Sequence, residues 1–133
     1  MKYMLDTNIC IYVIKKRPPE VIGKFLAQEA SDICISVITY AELMHGVYKS
    51  QKPEQNRIAL MLFLSSVQTV DLDFKAAEEY GRIKACLEQN GTPIGPMDTL
   101  IAAHAKSLGL TVVTNNEKEL RRVEGLKTEN WVN

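Results

Sequence analysis

The chain has 133 residues, of which 46% are hydrophobic and 24% are charged. This length and composition predict one compact domain with its own apolar core, covering residues 1–133. The 16 basic residues balance the 16 acidic ones. The overall charge therefore excludes the class of strongly basic nucleic-acid-binding proteins, and any contact with a polyanion must come from local clusters.

Two short basic clusters interrupt this balanced charge. The first consists of Lys15, Lys16 and Arg17, and the second of Arg121, Arg122 and Lys127. Each cluster either contacts an anionic partner or is ordinary solvated surface, and the sequence leaves both interpretations open.

The three cysteines, Cys10, Cys34 and Cys86, are too widely spaced to form a redox or zinc motif. Each lies among apolar residues and is predicted to be a buried free thiol. The sequence shows neither a secretory signal nor an apolar run of the roughly 20 residues that a membrane span needs. These features predict a protein of the reducing cytoplasm that has no membrane partner.

Short apolar runs alternate with helical patterns along the chain. Strands are predicted at residues 3–5, 33–36, 67–72 and 110–113, with a weaker one at 127–130. Helices are predicted at residues 7–16, 18–29, 39–50, 53–64, 73–90, 96–109 and 116–122. The apolar runs lack strict alternation, which is typical of parallel strands covered on both faces. The sequence thus predicts an α/β fold with a twisted parallel sheet of four or five strands, flanked by helices on both faces.

Acidic residues follow several of these strands, at the edge where sheets of this class place their sites. Asp6 comes directly after the first strand and could cap the next helix, although Thr7 and Asn8 could also fill that role. We favour a site, because a carboxylate at an apolar strand end loses hydration. Asp98 comes two residues after Pro96, which suits the first position of a helix, so Asp98 is predicted in the first turn. A favourable interaction with the helix dipole is the alternative reason for an acid there.

Two other acids belong to possible capping boxes. Glu42 lies three residues after Thr39, and Glu117 three residues after Thr114, which is the spacing of a helix N-cap and its partner. Glu42 could serve both as a capping residue and as a site residue, because both roles place it above the sheet. Glu119 and Asn116 would then both be free to point at the shared site, and the sequence alone does not decide which of them does.

Several carboxylates at one edge repel one another and need a counter-charge. A hard divalent cation supplies that charge, prefers oxygen ligands, and activates water for attack on a phosphodiester. The residues therefore predict a magnesium site that contains Asp6, Glu42 and Asp98.

The sequence resembles VapC-type toxins of the PIN-domain ribonucleases, which belong to type II toxin–antitoxin systems. The resemblance rests on LDTN at residues 5–8, Glu42, PIGPMD at residues 93–98, and VTNN at residues 113–116 with Glu119. It runs in order across essentially the whole chain. It implies a PIN-like fold and cleavage of RNA that depends on Mg²⁺, for which Mn²⁺ can substitute.

The resemblance also implies roles for individual residues. Asp6 and Asp98 would be the principal metal ligands, and Glu42 and Glu119 would complete the catalytic cluster. Three polar residues would position these acids: Thr7, Thr114 and Asn116. Some members of the family carry Asp where Asn116 stands, and this departure disfavours a second, tightly held metal. The basic residues Lys15, Lys16 and Arg17 are the candidates for contact with RNA.

The implied partners are a VapB-type antitoxin whose tail masks the site, a second copy of the chain in a homodimer, and promoter DNA bound only through the antitoxin. The implied substrate is tRNA, specifically the anticodon stem-loop of initiator tRNA. Two alternatives stay open: a degenerate PIN fold that only binds partners, and an α/β phosphotransfer domain. The phosphotransfer class would want a second acid near Asp6, where the sequence has Thr7 and Asn8.

Overall fold

The structure is a computed structural model that describes residues 1–132, and within that range it contains five strands and seven α-helices. A short 3-10 helix, Ala30–Asp32, precedes the second strand. The elements in chain order are β1 (Tyr3–Leu5), α1 (Thr7–Lys15), α2 (Pro19–Leu26), β2 (Ile33–Ser36), α3 (Val37–Lys49), α4 (Pro53–Leu64), β3 (Gln68–Val70), α5 (Phe74–Gln89), α6 (Pro96–Leu108), β4 (Thr111–Val113), α7 (Glu117–Leu120) and β5 (Lys127–Glu129).

The five strands form one sheet in the order β3-β2-β1-β4-β5, and all four pairings are parallel. At the centre, Met4 of β1 pairs with Cys34 of β2 on one side and with Val112 of β4 on the other. The predicted parallel α/β sheet is confirmed. None of the helices formed by residues 1–132 combines the length and apolarity that a bilayer crossing requires.

Alternate residues of the central strand face two separate apolar layers. Tyr3 and Leu5 pack in a core with side chains from α1, α2, α3 and α4, which includes Ile9. Met4 faces the other way and packs against Ile101 and other residues of α6. Successive strand side chains point to opposite faces, so a run that is apolar throughout must be covered twice. The prediction of helices on both faces is confirmed.

The third strand differs from the buried strand predicted at residues 67–72. It spans only Gln68–Val70, and both Gln68 and Thr69 are exposed. The cause is its position at the edge of the sheet, where it pairs with β2 alone. An edge strand needs less apolar surface than a central one.

Several boundaries and one burial prediction also differ. Helix α2 ends at Leu26 rather than residue 29, and the 3-10 helix follows it as a separate turn. Helix α7 is only four residues long, shorter than the predicted span 116–122. All three cysteines are free, and Cys10 and Cys34 are buried as predicted, but Cys86 is exposed.

Helix α3 begins at Val37, two residues earlier than predicted, because Ser36 is its N-cap. The Ser36 Oγ accepts a hydrogen bond from the Ile38 N–H at 3.0 Å and lies 2.7 Å from Nδ1 of the buried His104. The backbone of Asp71 is the second hydrogen-bond partner of this imidazole. A neutral ring with its proton on Nε2 satisfies all three contacts, and burial lowers the pKa of His104 accordingly. Ser36 thus joins β2, α3 and α6.

We predict that Ser36→Ala lowers the free energy of unfolding by about 2 kcal/mol, because it removes the helix cap and leaves the buried His104 Nδ1 without a donor. Urea denaturation followed by circular dichroism measures this change. Ser65→Ala is the matched control, since the exposed Ser65 hydroxyl donates only to the Leu62 carbonyl. The control is expected to stay within about 0.5 kcal/mol of the unsubstituted chain. Equal stability of the two variants would contradict the role given to Ser36.

Candidate active site

Asp6 lies between β1 and α1 and is 7% exposed. It is the N-cap of α1, and its Oδ1 accepts a hydrogen bond from the Ile9 N–H at 3.0 Å. Thr114, at the end of β4, also hydrogen-bonds the carboxylate. The capping interpretation of Asp6 is therefore correct, and Thr7 and Asn8 do not cap the helix. The cap also fixes the carboxylate at the carboxyl edge of the two central strands.

Glu42 reaches the same edge from α3, but it does not belong to a capping box. The prediction of Thr39 as N-cap is wrong: Ser36 caps the helix, Thr39 is buried in its first turn, and Glu42 lies in the second turn. The Thr7 hydroxyl instead donates to Glu42 Oε1 at 2.5 Å. Thr7 follows Asp6 directly, so this bond holds Glu42 beside the first acid.

The second predicted capping box is wrong as well. Helix α7 begins after Asn116, and Thr114 Oγ1 accepts from the Asn116 N–H at 2.9 Å. Glu117 accepts from the Thr128 hydroxyl and points to β5 rather than to a cap. The Glu119 Oε2 accepts a hydrogen bond from Asn116 Nδ2 at 3.0 Å.

Asp98 is half-buried in the first turn of α6, two residues after Pro96 at the start of the helix, as predicted. Burial raises its pKa first, and the charges of Glu119 and Glu42 raise it further. Asp98 therefore lies close enough to Glu119 of α7 and Glu42 of α3 for their charges to act on it. Four elements thus deliver Asp6, Glu42, Asp98 and Glu119 to one end of the sheet.

The pKa of Asp6 depends on its burial and on the charges of the neighbouring acids. Burial raises the pKa of Asp6 from 3.8 to about 6, against the hydrogen bonds from Thr114 and Ile9, which lower it. The charges of Asp98 and Glu42 add to the increase. Carboxylates that disfavour one another's ionisation in this way are stabilised by a cation placed among them.

The donor chemistry fits a hard divalent cation. All four side chains offer carboxylate oxygens, the ligands that magnesium and manganese prefer. Within residues 1–132, no group of three or more His, Cys, Asp or Glu side chains is arranged so that it could hold a metal ion. Magnesium is commonly held by one or two carboxylates with waters completing its octahedron, so an open arrangement agrees with this ion.

The predicted basic residues lie at the other end of α1. Lys15, Lys16 and Arg17 are exposed, and Lys15 lies nine residues after Asp6, about 13 Å along the helix axis. The structure therefore does not bring these residues into the carboxylate cluster. Arg121 and Arg122 are also exposed, and they pair with Glu117 and with the Pro93 carbonyl.

A groove of about 330 Å³, which sequence reasoning missed, connects Lys15 to the acids. It runs between α1, α3 and α4, and Glu42 lies in its wall. The remaining lining is mostly apolar and comes from Ile11, Ile14, Leu43, Gly46, Val47, Ser50, Asn56, Ala59 and Leu60. The small residues Gly46 and Ala59 were the available sequence signal, because they leave space between two packed helices.

We predict that Asp6→Asn stabilises the metal-free protein by about 2 kcal/mol at about pH 7.5. The pKa of Asp6 is higher in the folded chain than in the unfolded one, so stability is lost as pH rises from 3.8 to about 6 and the carboxylate ionises. Asn keeps the cap acceptor and removes that cost. Urea denaturation in EDTA measures the difference, which should nearly vanish at about pH 4.

The control is Asp73→Asn, which places the same substitution at another N-cap, the exposed one of α5 that accepts from Ala76. Its stability should change by less than about 0.5 kcal/mol, since Asp and Asn cap helices equally well. If Asp6→Asn were no more stable than the unsubstituted chain at the higher pH, the burial cost assigned to Asp6 would be wrong.

Comparison with known proteins places this site in a family. Residues 3–126 match the PIN domain. The chain is 51% identical over 132 residues to ribonuclease VapC2 of Haemophilus influenzae, with 99% of each chain covered. It is 47% identical over 131 residues to the tRNA(fMet)-specific endonuclease VapC of Shigella flexneri, with 98% of each covered.

A solved structure agrees with these sequence relationships. The DNA-bound VapBC complex of Salmonella typhimurium contains a chain with a TM-score of 0.93 and 45% identity, and 98% of each chain is covered. Ribonucleases with PIN domains generally depend on divalent metal ions, in agreement with the oxygen-rich cluster. The resemblance seen in the sequence is confirmed, and the chain belongs to the VapC ribonucleases of the PIN-domain family.

Proposed function

We propose that this chain is the toxin of a VapBC-type toxin–antitoxin system, an endoribonuclease that hydrolyses RNA phosphodiester bonds with Mg²⁺, or with Mn²⁺ in its place. The observation that carries the proposal is the position of Asp6 and Asp98 at one end of the sheet, where burial and neighbouring acidic charges raise the pKa of both. We further propose that residues 1–133 act as a single PIN domain. The first and last strands both belong to the sheet that carries the site.

We assign different roles to the four acids according to their surroundings. Asp6 and Asp98, whose pKa values burial raises, are proposed as the metal ligands. Bound there, a divalent cation would offset the phosphate charge and lower the pKa of an attacking water. Glu42 and Glu119 complete the catalytic cluster and can accept protons from groups at its rim.

Three polar residues fix the orientation of these acids. Thr7 donates to Glu42, Asn116 donates to Glu119, and Thr114 hydrogen-bonds Asp6. We propose that they position the carboxylates rather than contact the substrate. A side chain held by such a bond loses little rotational freedom when it binds a ligand.

We propose tRNA as the substrate, and the anticodon stem-loop of initiator tRNA as the part that is cut. The support is the Shigella flexneri relative, which is named for its specificity for tRNA(fMet). Lys15, Lys16 and Arg17 are the proposed phosphate contacts, since the acidic cluster itself repels RNA. Cleavage of tRNA implies action in the cytoplasm, the location that we propose.

The proposed partner is a VapB-type antitoxin, with promoter DNA bound only through it. The Salmonella typhimurium neighbour is a VapBC complex bound to DNA. The groove between α1, α3 and α4 suits the antitoxin tail, because its lining is mostly apolar and includes Glu42. A tail that occupied it would cover Glu42. We also propose a homodimer, supported by the exposed Ile58 and Leu62, which lie one turn apart on α4.

We predict that the chain cleaves tRNA in Mg²⁺, and that EDTA, Asp98→Asn or Glu42→Gln reduces the rate by about 100-fold or more. That factor corresponds to several kcal/mol of transition-state stabilisation. Single-turnover cleavage of a labelled tRNA mixture is the measurement. Asp73→Asn, at the exposed cap of α5, is the control and should cleave normally. Cleavage that persists in EDTA or in Asp98→Asn would overturn the metal-nuclease proposal.

The pH dependence of the same reaction tests the role of Asp6. Because the pKa of Asp6 is about 6 without metal, the rate at subsaturating Mg²⁺ should fall as pH drops through about 6. The cation competes with the proton for the carboxylate, so raising the Mg²⁺ concentration should move the inflection to lower pH. An inflection that does not respond to Mg²⁺ would argue against Asp6 as a ligand.

A substitution at Gly46 tests the antitoxin groove. A Cβ added at Gly46 meets nothing within 4 Å, so Gly46→Trp should fold while filling the groove. We expect it to weaken binding of the cognate antitoxin at least about tenfold, or about 1.4 kcal/mol, in a titration calorimetry experiment. Gly81→Trp is the matched control on α5, where a Cβ is equally free. Equal antitoxin affinity of the two variants would exclude the groove as the docking site.

A further inference from the structure

A second pocket adjoins the groove along α1, shares Ile11 and Lys15 with it, and is not explained by the carboxylate cluster. It has a volume of about 340 Å³, at the lower end of the range for small-molecule sites. Its lining is Ile11, Tyr12, Lys15, Arg17 and Pro18. One aromatic ring, two apolar side chains and two cations make up this lining, which is the composition of a surface that stacks a base and attracts a phosphate.

The aromatic ring is held in place. The hydroxyl of Tyr12 accepts a hydrogen bond from Asn115 Nδ2 at 3.2 Å, and Asn115 Oδ1 in turn accepts from Asn130 Nδ2 at 3.3 Å. Tyr12 is half-buried and packs against the main apolar core. A ring fixed at both its body and its hydroxyl loses little entropy when a ligand stacks on it.

The same hydrogen bonds connect the pocket to the acids. Asn115 stands between Thr114, which hydrogen-bonds Asp6, and Asn116, which hydrogen-bonds Glu119. Tyr12 also lies one helical turn after Asn8, a rise of about 6 Å from the first turn of α1. The Tyr12 hydroxyl therefore lies at the end of the sheet that carries the acids, whereas Lys15 and Arg17 lie farther along α1.

The turn that ends α1 places Arg17 in the same pocket as Tyr12 and Lys15. Lys16 is the C-cap, with a φ of 60°, and its left-handed conformation reverses the chain. The Arg17 N–H then donates to the Tyr12 carbonyl at 3.1 Å. Arg17 and Lys15 are consequently anchored by backbone next to Tyr12, while their charged ends remain exposed.

We propose that this pocket binds one unpaired nucleotide of the RNA next to the cleaved phosphodiester, with its base on the ring of Tyr12 and its phosphate facing Lys15 and Arg17. The inference rests on the proposed function and adds a recognition site to it. Aromatic stacking accepts any base, whereas guanidinium and ammonium groups select the charged backbone. The pocket would therefore require an unstacked nucleotide rather than a particular sequence.

A binding experiment tests the pocket without catalysis. In the Asp98→Asn background, we expect Tyr12→Leu to raise the Kd for a fluorescein-labelled anticodon stem-loop of initiator tRNA roughly 5- to 150-fold, the range for loss of one stacked base. Tyr12→Phe retains the ring and loses one hydrogen bond, so its Kd should rise less than about tenfold. Arg17→Gln should flatten the salt dependence of binding.

Tyr48→Leu is the matched control. Tyr48 is exposed on α3, accepts a hydrogen bond from Arg57 at 3.0 Å, and has the Arg57 guanidinium 6.0 Å from its ring centre. Tyr48 thus offers a phenol ring and a nearby guanidinium, as the pocket does, but its hydrogen bond is to α4 rather than to the loop at Asn115. The Kd of Tyr48→Leu for the labelled stem-loop should be unchanged. Thermal melts of all variants identify any loss of fold.

Steady-state kinetics and a fluorescent base analogue in the RNA provide two further measurements. In the catalytically active chain, Tyr12→Leu should raise KM far more than it lowers kcat. An RNA carrying 2-aminopurine beside the cleavage site should lose fluorescence on binding, and Tyr12→Leu should abolish that quenching.

Two outcomes would overturn the proposed nucleotide pocket. The first is a folded Tyr12→Leu variant whose Kd and KM for RNA are unchanged. The second is a Tyr12→Leu variant that binds RNA normally but binds the antitoxin more weakly, which would make the pocket a protein contact. If the unsubstituted chain cleaved no RNA, the proposed function would fail, and the binding experiment would still decide whether Tyr12 holds a nucleotide.

Discussion

The burial of a carboxylate among other carboxylates is the constraint on which this structure depends. Asp6 caps α1 from a position that water barely reaches, so its charge is costly and its pKa rises to about 6. A parallel sheet brings the residues that follow its strands together, because the carboxyl ends of all five strands lie at one edge. The residues at this edge must either reduce the repulsion between the carboxylates or leave room for a cation among them.

Small polar side chains accommodate these charges. Thr7, Thr114 and Asn116 each direct a hydrogen bond at an acid, and each lies at the junction of a strand and a helix. Such short side chains hold a carboxylate without filling the space in front of it. The arrangement orients the acids while leaving the approach to them open, which a nuclease acting on a long polymer requires.

Features set by adjacent residues could be predicted from the sequence. An apolar run followed directly by Asp6, and Pro96 followed by Asp98, each fix an acid at an element boundary by local rules alone. The parallel strands and the two helical layers followed from apolar runs without alternation. The catalytic and metal-binding roles of these acids stay predictions, because neither the geometry nor the relatives test them.

The features that could not be predicted depend on contacts between distant parts of the chain. Ser36 and Thr39 are equally good caps by sequence, and Ser36 caps the helix in the structure, where it also contacts His104, 68 residues away. The exposure of β3 follows from its place at the sheet edge, which the order of elements along the chain does not specify. The groove reaching Glu42 exists only because α1, α3 and α4 pack together.

Helix α1 fixes the distance between the carboxylate cluster and the nucleotide pocket. One rigid element carries Asp6 at its start, Tyr12 beyond its middle and Lys15 at its last turn. Each residue inserted into such a helix would rotate the later residues by about 100° and move them about 1.5 Å along the axis. The separation between the reacting bond and the recognised nucleotide would then be as invariant as the helix itself. Relatives could change which RNA they select through surrounding loops, while the offset between recognition and cutting stayed constant.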